Sequence, residues 1–115
     1  MNTLEKMLLE AQEISLKMDL VVLGVKSIVE LTEAMEKLAD SAQTEGFETL
    51  IEGALLSTML EDVMEKVNGL LEELEDDLDD ELKAMLKAQT LEAIQGKEQY
   101  LVVALMLTGA FGGAF

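Results

Sequence analysis

The sequence predicts an all-α protein, an elongated antiparallel helical hairpin or bundle of three to four helices with little or no strand. Three observations carry that expectation. Proline is absent throughout, so no helix is interrupted by a missing backbone donor. Apolar residues recur at alternating spacings of three and four from Leu4 to Ala42. No stretch alternates apolar and polar residues with the period of two that a half-buried strand requires.

The first helix is expected over about 3–43. Its seam reads Leu4, Met7, Ala11, Ile14, Met18, Val21, Val25, Ile28, Thr32, Met35, Ala39 and Ala42, and only Thr32 is not apolar. This is the heptad pattern of a helix that meets a partner along one side. Glu13–Lys17 and Glu33–Lys37 supply favourable i,i+4 pairs off the seam. Between Leu20 and Leu31 the stripe widens to take in Val22, Leu23 and Val29, which predicts neighbours on more than one side. Such a helix would be about 60 Å long, whereas a compact chain of this size has a radius of gyration of about 13 Å. An unbroken first helix therefore forces an elongated molecule, and a kink at Gly24 would instead allow a compact bundle. The elongated form is the expectation.

The polar cluster from Ser41 to Phe47 ends this helix, with Thr44 as a cap or Gly46 as a terminator. A second helical stretch is expected over about 45–89, with candidate breaks at Asn68-Gly69 and at the aspartates of 76–80. An apolar C-terminal helix follows over about 91–110, bent at Gln95-Gly96. The whole chain is read as one domain.

Composition excludes more than it identifies. Twenty-four acidic residues face 8 basic ones, all lysine, for a net charge of -16. Cysteine, histidine, arginine and tryptophan are absent. The chain therefore has no thiolate nucleophile or disulfide, no imidazole base or ligand, and no bidentate anion clamp. The charge argues against direct binding of nucleic acid or anionic lipid. Catalysis by paired carboxylates needs two acids facing each other in a pocket. The acids here fall on outward faces, Asp19 and Lys26 beside the apolar middle being read as solvated flanks. No enzyme activity, cofactor or metal is expected. Charged residues interrupt the first apolar stretch (Glu5, Lys6, Glu10), unlike a signal peptide, so a cytoplasmic protein is expected, with signal-less secretion leaving the same record.

Two segments invite a functional reading. Glu72, Glu73, Glu75, Asp76, Asp77, Asp79, Asp80 and Glu81 place eight carboxylates in ten positions. As a solvated helix face they need no further explanation. As one continuous helix they would carry roughly one charge per 2 Å, near the charge density of duplex DNA, and could occupy the cationic groove of a nucleic-acid enzyme. An EF-hand is excluded, because neither the ligand spacing nor its glycine is present. The second segment is the uncharged stretch from Tyr100 to Phe115, too short and too glycine-rich at its end for a membrane span. It is expected to be a core helix or an assembly surface.

The leading expectation is a non-enzymatic protein that self-associates, or binds a protein partner, through its seam and its apolar end. The candidate contact residues are Val21, Val25, Ile28, Tyr100, Leu101, Ala104, Leu105, Gly109 and Phe111. A homo-oligomer is the expected state. The alternatives are an acidic mimic of nucleic acid, whose partner would be a protein with a basic surface, and a designed helical scaffold without natural activity.

Overall fold

The computed structural model describes residues 2–45 and 47–108. Asn2 opens the first helix, α1 (Thr3–Glu45), by accepting the Glu5 N–H on its side-chain oxygen at 2.8 Å. That satisfies one of the donors every helix start leaves unpaired. With 43 residues and no proline, α1 runs the length of the molecule, whose longest extent is 63 Å. The radius of gyration is 17.1 Å, well above the roughly 13 Å of a compact chain. The elongated expectation therefore holds.

Helix α2 (Phe47–Leu74) turns back along α1. Leu38 faces Gly53, Gly24 faces Val67, and Lys17 Nζ lies 3.5 Å from Glu73 Oε2. Each step forward on α1 thus matches one step back on α2, the register of an antiparallel hairpin. Gly24 does not kink α1. It lets the two backbones approach, because a Cβ at this position would run into the Val67 side chain.

A tight elbow follows, with Asp77 N–H and Leu78 N–H both donating to the Leu74 carbonyl. Asp79 then caps α3 (Asp80–Ala93), its carboxylate accepting the Leu82 N–H at 2.8 Å. Of the two candidate breaks, the one in the aspartate cluster is real. Asn68-Gly69, the alternative, lies inside an uninterrupted helix: α2, packed along α1, carries both Gly53 and Gly69 without a break. The expected division near residue 90 is corrected. Thr90 is buried in α3 and donates its hydroxyl to the Leu86 carbonyl, and the helix ends only at Ala93. Gly96, at φ 85°, makes the next turn, where a side chain would be strained, and α4 (Glu98–Thr108) begins two residues later.

Leu82, Met85 and Gln89 of α3 lie against Ala11, Ile14 and Met18, while Lys97 reaches Glu33. The third leg therefore runs parallel to α1, in two pieces. Helix α1 is the spine that touches all three others, which meet one another only marginally. One apolar core fills the seam: Val21, Val25, Ile28 and Val29 from α1, Leu60, Met64, Val67 and Leu74 from α2, then Leu86, Ile94, Leu101 and Ala104. Each large side chain buried there contributes about 1.5–3 kcal/mol before entropy is counted. Among the described residues there is no strand.

Candidate interaction surfaces

The sequence-derived contact residues divide sharply. Val21, Val25 and Ile28 are 0% exposed, inside the core that α1 shares with the other helices of the same chain. Their expected role in self-association is corrected on this ground: the partner their seam required is intramolecular. Leu101 and Ala104 are likewise buried, as the inner face of α4 against α1. Tyr100 is half-buried at the start of α4. Leu105 lies on α4, but its side chain, together with Gly109 and Phe111, falls outside the described residues.

What holds α4 in place is partly electrostatic. Lys97 Nζ donates to Glu33 Oε2 at 2.8 Å, and Lys37 lies 3.6 Å from the other carboxylate oxygen. The Lys97 hydrogen bond is the main reason the Glu33 carboxyl sits below its ordinary value, and the same bond raises the Lys97 ammonium. Partial burial, followed by the nearby Glu36 and Glu33 carboxylates, pushes the Tyr100 hydroxyl up.

All eight carboxylates from Glu72 to Glu81 are exposed. They do not form the continuous helical row that sequence spacing suggests, because α2 stops at Leu74 and α3 starts at Asp80. Glu73 pairs with Lys17, and Asp79 is committed to capping. Among the described residues no acidic group is arranged to hold a metal ion, and no helix is long and apolar enough to cross a membrane.

The unexpected surface lies on the outer side of α1. Every residue from Asn2 to Glu13 is exposed, Leu4 at 66% and Leu8 at 55%. At 28 residues α2 spans about 42 Å and cannot follow α1 to its start. A second apolar stripe, Leu9, Leu16, Leu20 and Leu23, runs down the side of α1 away from the core. It is legible in the sequence as three leucines at intervals of seven, but the stronger seam masks it. Its lower end joins an open groove of about 480 Å³ between α1 and α2. Leu20, Leu23 and Gly24 form one wall, Val63, Val67 and Leu70 the other, with Lys66 and Glu73 at the rim.

Charge distinguishes this surface again. Residues 1–29 hold four carboxylates and three lysines, a net -1, in a chain of net -16. The bare leucines thus lie on a nearly neutral part of an otherwise strongly acidic molecule. No protein-family model matches the chain, and neither a curated protein nor a solved structure does.

Proposed function

We propose that the protein is a cytoplasmic, non-catalytic association module that joins copies of itself through apolar surface outside its own core. The observation that carries this reading is the Leu9–Leu16–Leu20–Leu23 stripe with the bare N-terminal turns of α1. Contiguous apolar surface of this kind marks interaction sites in folded chains. Area supports it. The chain exposes 7913 Å², against about 6,200 Å² for a compact monomer of its mass. A stable interface needs about 800 Å² from each partner. The outer face of α4, where Val102 and Val103 are exposed, is another apolar surface, on the third leg and beside the later half of α1.

The test is mass in solution across a dilution series, by light scattering or sedimentation. A concentration-dependent dimer or larger species supports the reading, and a monomer at every concentration sinks it. The acidic elbow carries the rival reading, a carboxylate cluster that fits a cationic groove. Its favouring observation is that all eight carboxylates are exposed; against it stands the break in their helix. Failure to bind any basic nucleic-acid enzyme at low salt eliminates it.

A further inference from the structure

We infer that the α1/α2 groove is a two-fold interface, occupied by the same groove of a second copy running antiparallel to the first. The inference rests on the self-association proposed above and specifies where and how it occurs. Three features of the groove converge on one point.

The first is an unexplained glycine. Gly24 is required by Val67, but a Cβ added at Gly69 would meet no other part of its own chain within 4 Å. A glycine inside a helix weakens it relative to alanine. No close approach within this chain calls for a glycine there, whereas the missing side chain on the groove wall leaves room for another helix to come close. The second is the rim. Lys66 and Glu73 have opposite charge and lie seven residues apart on α2, two helical turns, with Gly69 midway. A two-fold axis across the groove at Gly69 sets each Lys66 against the Glu73 of the other copy, and does so twice. Both side chains are well exposed, and their pairings within the chain, with Asp62 and Lys17, are surface contacts that leave them free to reorient. The third is the register. Because Gly24 lies opposite Val67, the level of Gly69 on α1 falls between Leu20 and Leu23. The same axis therefore packs Leu20 of each copy on Leu23 of the other. One symmetry operation satisfies the leucines, the rim charges and the glycine together, as an isologous interface demands.

A second copy fits this groove better than a small ligand, because the groove is open and, apart from the charged rim, its polar lining side chain is Ser27, whose hydroxyl is already donated to the Leu23 carbonyl. It also fits better than a uniformly cationic helix, because the rim is of mixed sign.

Charge reversal tests the arrangement. Lys66→Glu and Glu73→Lys, each alone, place like charges together twice across the axis, and each should weaken dimerisation by at least about tenfold in sedimentation equilibrium at low salt. An equimolar mixture of the two variants should recover it, because both contacts then join opposite charges. Gly69→Leu should abolish the dimer, while circular dichroism shows a monomer at least as helical as the parent. If both charge variants and Gly69→Leu dimerise like the parent, the groove is not the interface. Should deletion of residues 2–10 then dissociate the protein, self-association stands and only its location is wrong. A parent chain that is monomeric throughout overturns both.

Discussion

Residues 2–13 and residues 18–32 of α1 carry the same three-and-four spacing, yet one is bare and the other buried. Leu4 and Met7 continue the line of Val21, Val25 and Ile28 without interruption. The difference is not in α1. It lies in the length of α2, which ends level with Lys17, and in α3, which reaches only as far as Ala11. A heptad seam thus specifies which face of a helix seeks cover, and the lengths of its partners decide where cover is found.

The comparison can be broken by mutation, most severely in the covered half. Ile28→Ala should cost about 2–5 kcal/mol in urea unfolding, the range for a truncated core side chain. A loss below about 1 kcal/mol would mean the hairpin repacks and the two halves are not distinct. Gly24→Ala is expected to cost about 1–3 kcal/mol, since the new methyl group meets Val67 and helix propensity recovers only part of the loss. A neutral or stabilising result would show that α1 and α2 do not approach closely here.

Asp79→Ala removes the cap of α3 and should cost about 1 kcal/mol, with amide exchange rising at Leu82 and its neighbours. This sharpens the comparison, because α3 flanks α1 where exposure gives way to burial, near Ile14 and Met18. In the bare half, Leu8→Ala should change stability by no more than about 0.5 kcal/mol. A larger loss in dilute, monomeric protein would show that the N-terminal turns pack on something within the chain.

The smallest effect concerns pH. Glu33 has its folded-state carboxyl held below the ordinary 4.5, so the stability it contributes is present above that value and lost as pH falls through the lowered one. Replacing Lys97 by Gln should move the Glu33 titration back up, as read by carboxylate NMR. An unchanged midpoint would remove Lys97 from the account.

The buried half was legible from the sequence alone. The unbroken first helix, the turn at Gly96 and the elbow among the aspartates all follow from spacing and residue type. What spacing could not show is that the chain's own core would bury Val21, Val25 and Ile28. A seam looks the same whether its partner is internal or a second molecule. Gly69 misled for a related reason: a glycine marks a break only where tertiary packing does not carry the helix across it, and α1 runs alongside at that level. The weaker Leu9, Leu16, Leu20 and Leu23 stripe merges in the sequence with the widened middle of the first seam, which takes in Leu20 and Leu23, although both are exposed. Exposure, which spacing does not encode, is what separates it from the core-facing side of α1.

The spine arrangement has a consequence for how the molecule opens. Helices α2, α3 and α4 each rest on α1 and scarcely on one another, so the chain consists of two leaves bound at one edge. Native-state hydrogen exchange should then resolve two cooperative units: the α1/α2 hairpin, and an α3/α4 leaf that lifts at lower free energy. When that leaf lifts, Leu86, Ile94, Leu101 and the α1 side chains beneath them are exposed while the hairpin stays closed. Such an opening would present a transient apolar face while the α1/α2 hairpin stays folded.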